Sequence, residues 1–232
     1  MHIVVRHGSR DLAGVTRDGE SWVRAAERVA ATVPGAPFAR DLSAEPLRFE
    51  VDPDVVVALR AAGPGDLPDL VRWRQSEHVR AWWAADGEPT AENVAAQYGP
   101  DIDGMTPTRL WIAEVNGRSV GFVQDYRIKD YPEFALLTAH PDAIGVDYAI
   151  GDPQWVGRGL GTRVVWAWML RAQHRFPEAT AFFAAPDHRN GASLRLLTKL
   201  GFEQGVWFDE PQRDGSTSTV VGCTLDVARV LG

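Results

Sequence analysis

Apolar residues recur along this chain at two spacings, and the switches between them predict its elements. Val55-Val56-Val57-Ala58-Leu59-Arg60 reads as a strand, and Pro64-Gly65-Asp66 as a turn capping a helix that carries Leu67, Leu70, Val71 and Trp73-Arg74 at helical spacing. His78-Val79-Arg80-Ala81-Trp82-Trp83 ends the next segment, and Pro89-Thr90-Ala91-Glu92 opens another helix. Adjacent tryptophans cannot share a helix face, so at least one of Trp82 and Trp83 is expected to face a cleft or solvent. Either both are local core, or they form a flat apolar wall for a small ring, with Asp86 and Glu88 nearby to attract cations.

Arg109–Val115 and Ser119–Tyr126 are apolar runs joined by Asn116-Gly117, the pair that suits the tight turn of a β-hairpin. Tyr126 to Pro141 reads as a loop or short helix whose Asp125, Asp130, Tyr131 and Glu133 are either solvated surface or a substrate-facing lip. Gly145–Ile150 is a strand that Asp152-Pro153 breaks. A helix over Gly161–Phe176 turns Val164, Val165, Ala167, Trp168 and Ala172 towards a sheet, and Pro177 stops it. Ala179–Ala185 is a short buried strand. Pro186-Asp187-His188-Arg189-Asn190 caps a second helix carrying Leu194, Leu197 and Leu200, with Gly201 just past its end. Phe202–Phe208 and Ser216–Leu225 then form a terminal antiparallel pair around Arg213-Asp214-Gly215.

Residues 1–53 read as an N-terminal extension, and residues 54–232 as the main domain. The extension has a short apolar start, a turn-rich Gly8 to Gly19, a helix around Ser21 to Thr32, and then Pro34, Pro37 and Pro46. Trp22, Ala25, Ala26 and Val29 share one face of that helix and are expected to pack on the main domain. Val5-Arg6-His7-Gly8 resembles the R-H-G motif of histidine phosphatases, but nothing downstream supplies the α/β domain that would grow outward from such a strand.

Composition narrows the partners. Thirty-one acidic against twenty-four basic residues give a formal charge of -7, which argues against nucleic acid or an anionic membrane surface and favours a cationic substrate. No apolar run approaches the roughly 20 residues of a membrane span. The first residues also lack the layout of a signal peptide, so a cytoplasmic monomer or homodimer is expected. Cys223 stands alone, and the six histidines never fall at metal-ligand spacing, so neither an intrachain disulfide nor a metal is expected.

The stretch with the most legible chemistry is Gln154-Trp155-Val156-Gly157-Arg158-Gly159-Leu160-Gly161-Thr162, between a strand and a helix. Glycines there permit positive φ and leave several backbone N–H groups free to point at one anion beside a helix N-terminus. A pyrophosphate suits such a loop, and an ordinary Gly-rich turn is the plain alternative. The stretch lacks the Gly-Lys-Ser/Thr of a P-loop, and its G-x-G-x-G spacing departs from the G-x-G-x-x-G of a Rossmann turn.

It does resemble the Q/R-x-x-G-x-G/A acetyl-CoA loop of the Gcn5-related N-acetyltransferases, matched by Gln154, Gly157 and Gly159. The element order from about Val55 to Leu225 is similar to that family as well. His78 with Trp82-Trp83, Gly145-Val146-Asp147, Pro186 to Asn190 and Lys199-Leu200-Gly201-Phe202 resemble its aminoglycoside 6'-N-acetyltransferase branch. The resemblance implies an α/β (α+β) fold: a mixed, mostly antiparallel central sheet with a splayed strand pair and flanking helices. It implies acetyl transfer from acetyl-CoA straight to a primary amine of a cationic small molecule, with no metal.

In that reading Ile150, Trp155, Val156, Gly157, Arg158, Gly159, Leu160, Gly161, Thr162, Asn190 and Ser193 hold the cosubstrate. Trp82, Trp83, Asp130, Glu133 and Asp187 contact the acceptor, and Asp147 accepts its proton. An alkylammonium has no free lone pair, so a base is needed, and an unperturbed Asp near pKa 3.9 is too weak unless burial raises it or a water relays the proton. Many relatives place a tyrosine on the helix after the asparagine to protonate the departing thiolate. Here that position is Leu197, which leaves Tyr148 and Ser193 as hydroxyls of unassigned role. Two other readings are acylation of a hydroxylysine in a siderophore pathway, whose branch usually has a histidine at Asp147, and a catalytically weak acetyl-CoA-binding module.

Overall fold

The structure is a computed structural model that describes residues 55–135, 138 and 140–231, together with the backbone of 2–7, 10–15 and 47–52. Strands β1 (His2–His7) and β2 (Arg10–Val15) pair with each other in a sheet of their own. The main sheet holds β3 (Leu47–Asp52), β4 (Val55–Ala61), β5 (Arg109–Val115), β6 (Arg118–Arg127), β7 (Ile144–Ile150), β8 (Ala181–Ala184), β9 (Glu203–Pro211) and β10 (Thr217–Asp226), in the order β3-β4-β5-β6-β7-β8-β10-β9. Its neighbours are antiparallel except β7 and β8. The described helices are α1 (Leu67–Gln75), α2 (Glu77–Trp83), α3 (Ala91–Ile102), α4 (Pro132–Ala135), α5 (Leu160–Arg175), α6 (Gly191–Lys199) and α7 (Val227–Leu231).

Alternation along the strands divides the core between the two faces of the sheet. Leu110, Ile112, Phe122 and Ala149 pack with Leu70 and Trp73 of α1, Val79 of α2, and Val94 and Tyr98 of α3. Their neighbours Trp111, Ala113, Val123 and Val146 point the other way, into a cluster with α5, Leu197 of α6 and the end of β10. Each large apolar side chain so buried contributes about 1.5–3 kcal/mol. The β5–β6 hairpin turns on Asn116 and Gly117 at φ 51 and 76, the paired positive angles of a type I′ turn, and Asn116 Oδ1 accepts the Val56 amide of β4 at 2.8 Å.

Two features differ from the sequence reading. Asp125 is no part of a lip: it is 1 % exposed on the α5 face of β6. There it accepts hydrogen bonds from Trp111 Nε1 (2.7 Å), Trp168 Nε1 (3.2 Å) and an Arg175 guanidinium N–H (2.8 Å). Burial pushes its carboxyl up, and the Arg175 charge opposes that push. Strand β3 adds to the sheet beside β4, so the sheet takes in residues ahead of position 54. The helix expected around Ser21 to Thr32 and the prolines after it lie outside the described residues. Val5, Arg6 and His7 sit in β1, which among the described residues pairs with β2 alone.

The parallel pair opens a gap at the centre of the sheet. β7 and β8 are paired at Ile144↔Phe182 and Gly145↔Phe183, and no further pairing is described between them. Val146 to Ile150 therefore run on with their β8 side open, and the chain then turns into the glycine loop.

Candidate active site

The loop is built locally. Asp152 accepts the Gln154 amide at 3.0 Å and starts a single 3₁₀ turn, Pro153–Trp155. Gly157 and Gly159 then take φ of 78 and 73, and Gly159 caps the 16-residue α5. A side chain at either position costs about 1 kcal/mol or more in backbone strain. Gly161 is closely packed, since a Cβ there would stand 2.7 Å from Leu196 Cδ1 of α6 and that side chain would have to shift. The outcome is exposed backbone at the N-terminus of a long helix, which suits an anion. His78 Nε2 stands 2.8 Å from the Ile150 carbonyl oxygen, tying α2 to the end of β7 and committing that carbonyl.

The loop forms one wall of an open cleft of about 1160 Å³. A single small-molecule site usually holds roughly 300–1000 Å³, so this one has room for a carrier and an acceptor together. Of the residues expected to hold the carrier, Ile150, Trp155, Val156, Gly157, Gly159, Leu160, Gly161, Thr162, Asn190 and Ser193 line the cleft. Arg158 does not: its guanidinium turns back to lie 5.4 Å over the Trp155 ring. Asn190 Oδ1 accepts the Ser193 amide at 3.1 Å and so caps α6, and the residue lines the cleft.

Asp147 faces the cleft from β7, directly opposite Gln124 of β6. Burial, reinforced by repulsion from Glu210 and Asp86, pushes its carboxyl up to about 7, against the pull of a hydrogen bond donated by the Tyr126 hydroxyl. A carboxyl half-ionised near neutral pH is matched to general-base work. Glu210 and Asp101 line the same cleft and are also pushed up, chiefly by burial. Asp86 completes the acidic wall and is held by Gln97 Nε2 at 2.9 Å and by Arg74 at 3.4 Å. Arg74 is itself buried and bonds Gln97, the Tyr98 hydroxyl and the Trp83 carbonyl at 2.9, 2.8 and 3.1 Å.

The other expected acceptor contacts divide. Trp83 packs on Phe122 with ring centroids 5.8 Å apart, whereas Trp82 stands 40 % exposed, and both line the cleft. Asp187 lines it too, but Arg189 takes both its oxygens at 2.8 and 2.7 Å and holds its carboxyl below the usual range. Asp130 is exposed and lies outside the cleft lining. The Glu133 side chain lies outside the described residues. Residue spacing did not point to Gln124, Tyr126, Asp101 or Glu210. The alternation of Phe122, Gln124 and Tyr126 along β6 was the available signal for two of them, because it sets all three on one face.

A gap in a sheet, a glycine loop at a helix N-terminus and a carboxyl raised to about 7 in the same cleft form an arrangement able to take a proton from a nucleophile beside a bound anion. A family profile described as acetyltransferase (GNAT) domain matches residues 64–209, and the chain belongs to that family. It is 29% identical over 150 residues to aminoglycoside N(6')-acetyltransferase type 1 of Klebsiella pneumoniae, covering 64% of this chain and 74% of that protein. It is 27% identical over 148 residues to the lysine N-acyltransferase MbtK of Mycolicibacterium paratuberculosis, covering 64% and 66%. The solved structure of the aminoglycoside acetyltransferase AAC(6')-Ib with paromomycin and acetyl-CoA superposes with a TM-score of 0.63 at 27% identity, covering 73% of this chain and 93% of that one. The same enzyme with coenzyme A and kanamycin gives 0.62 at 27% identity, covering 73% and 94%.

Proposed function

We propose that this enzyme transfers acetyl from acetyl-CoA directly to a primary amine of a cationic small molecule, an aminoglycoside 6'-amine being the acceptor the cleft fits best. The observation that carries the choice of acceptor is the wall of Asp86, Asp101, Asp147 and Glu210, since a polycationic sugar needs several paired charges. Trp82 supplies the apolar surface beside them. The resemblance to aminoglycoside acetyltransferases supports the same reading. A hydroxylysine acylase, suggested by the similarity to MbtK, calls for an apolar acyl channel and fewer acids.

Acetyl-CoA supplies an activated acyl group on a thiol leaving group. The backbone amides of residues 156–162 hold the pyrophosphate, the open edge of β7 from Val146 to Ile150 orients the pantetheine arm, and Asn190 Nδ2, which has no hydrogen-bond partner among the described residues, binds it. Asp147, as a carboxylate steadied by the Tyr126 hydroxyl, anchors the acceptor ammonium and takes its proton, and Glu210 keeps its proton affinity near neutrality. Residues 54–232 carry all of these groups, and the residues ahead of them are an extension whose β3 joins the edge of the same sheet. No described helix is long and apolar enough to cross a membrane. The test is release of coenzyme A thiol from acetyl-CoA against kanamycin-type aminoglycosides, N6-hydroxylysine and polyamines. Turnover is expected on the aminoglycosides, and its absence on every one of them overturns the assignment.

A further inference from the structure

Expelling a thiol calls for a hydrogen-bond donor at the sulfur, and Leu197, fully buried on α6, has none to offer. One helical turn earlier on the same helix, Ser193 Oγ lies 2.7 Å from Tyr148 Oη. Strand alternation sets this contact: Val146, Tyr148 and Ile150 turn to the α5 and α6 face, opposite to Asp147 and Ala149. The acceptor's base and the hydroxyl pair therefore stand on opposite faces of β7, on either side of the gap where β7 leaves β8. Ser193 is held in place by the cap, its amide donating to Asn190 Oδ1.

Two hydroxyls carry two hydrogens and share one hydrogen bond, so one O–H remains uncommitted whichever oxygen donates. Among the described residues no other hydrogen bond to either hydroxyl is seen, and both side chains line the cleft. We propose that Tyr148, supported by Ser193, donates a hydrogen bond and then a proton to the departing thiolate, a proposal that rests on the acetyltransferase reading above. Burial raises the phenol well above its ordinary value, so it stays protonated throughout the working range.

The step balances as follows. Asp147 first takes the ammonium's proton and passes it to water; the free amine nitrogen then forms a bond to the acetyl carbonyl carbon, and its second, surplus proton passes to Asp147. The carbon–sulfur bond breaks with its electron pair on sulfur, which takes the Tyr148 proton. Ser193 donates to the phenolic oxygen as that proton leaves, and water in the open cleft returns a proton to Tyr148 while accepting one from Asp147. A phenol is a weaker acid than a thiol, so the hydrogen bond to developing charge on sulfur contributes most, and the effect grows with the basicity of the leaving thiol.

The test compares Tyr148→Phe and Ser193→Ala with the wild type on two acetyl donors of different leaving-group basicity, S-acetylpantetheine and S-para-nitrophenyl thioacetate. Tyr148→Phe is expected to lower kcat with acetyl-CoA about a hundredfold at nearly unchanged KM for it, and Ser193→Ala to lower it about tenfold. The wild-type-to-variant ratio should be large on S-acetylpantetheine and close to one on the aryl thioester. Both donors are measured on one preparation, so any loss of folded protein cancels between the two ratios. Equal ratios on both donors, or wild-type kcat in Tyr148→Phe, overturn the proposal while leaving the acetyltransferase reading intact. A wild-type protein that releases no thiol with any amine brings down that reading itself, and this one with it.

Discussion

The ring of Tyr126 occupies the space that Gly145 leaves empty: a Cβ on Gly145 would stand 2.5 Å from Tyr126 Cε2. The two residues are direct partners across β6 and β7, and from this seat the Tyr126 hydroxyl reaches Asp147. Gly145→Ala is therefore expected to displace the phenol and remove a hydrogen bond that now favours the Asp147 carboxylate. Turnover should fall about tenfold, and the acid limb of the pH–rate profile should move to higher pH. An unshifted limb would show that Tyr126 does not bear on the base.

The activity itself should depend on the state of Asp147. With its carboxyl pushed up to about 7, kcat/KM for the amine should rise through neutral pH and level off above it. Glu210 contributes to that push, so Glu210→Gln should move the limb to lower pH. The limb belongs to the coupled carboxyls as a group. A profile that stays in place in Glu210→Gln, measured with acetyl-CoA saturating, would exclude the coupling.

Asp147→Asn separates activity from stability. Turnover should drop far more than acetyl-CoA affinity, because the side chain faces the acceptor wall. The sign for stability is the reverse. Because the folded-state value lies above the unfolded value of 3.8, the folded protein binds this proton more tightly, and ionisation costs stability as pH rises from about 4 to about 7. Asn carries no such penalty, so the variant should melt higher than the wild type at pH 8 and approach it as the pH falls towards 4. Thermal scans across that range check the trend.

Arg74 joins α1, α3 and the acceptor wall. Arg74→Met leaves the Tyr98 hydroxyl, Gln97 and Asp86 without their shared donor. A loss of about 3 kcal/mol in unfolding free energy is expected, as for a broken buried pair. KM for the amine should rise with KM for acetyl-CoA unchanged, since Arg74 supports Trp83 and Asp86 and lies away from the glycine loop. Denaturant titration and initial rates read the two effects apart.

Several elements were legible because their determinants are neighbours in the chain. Asn116-Gly117 selects its turn by the φ its own residues tolerate, Thr90 and Asn190 cap helices through amides three residues on, and Gly157 and Gly159 shape the loop from within. The resemblance carried by Gln154, Gly157, Gly159 and Gly145-Val146-Asp147 led to the expectation of acetyl-CoA at the loop and of Asp147 as the base. What no spacing revealed is which polar groups share the cleft. Glu210 fell in a segment read as turn, because the edge strand β9 continues to Pro211 beyond the apolar run ending at Phe208, and an edge tolerates proline. Asp125 and Asp130 looked equal in sequence, yet alternation buries the first beneath Trp111 while the second remains at the surface. Tyr148 meets Ser193, and Asp147 takes its raised proton affinity from Glu210 and Asp86, only once register and strand order have brought distant segments together. Local backbone preferences thus fix the loop and the helix ends in the sequence itself, whereas proton affinity and the pairing of hydroxyls depend on burial and on charges across the sheet, which exist only in the folded chain.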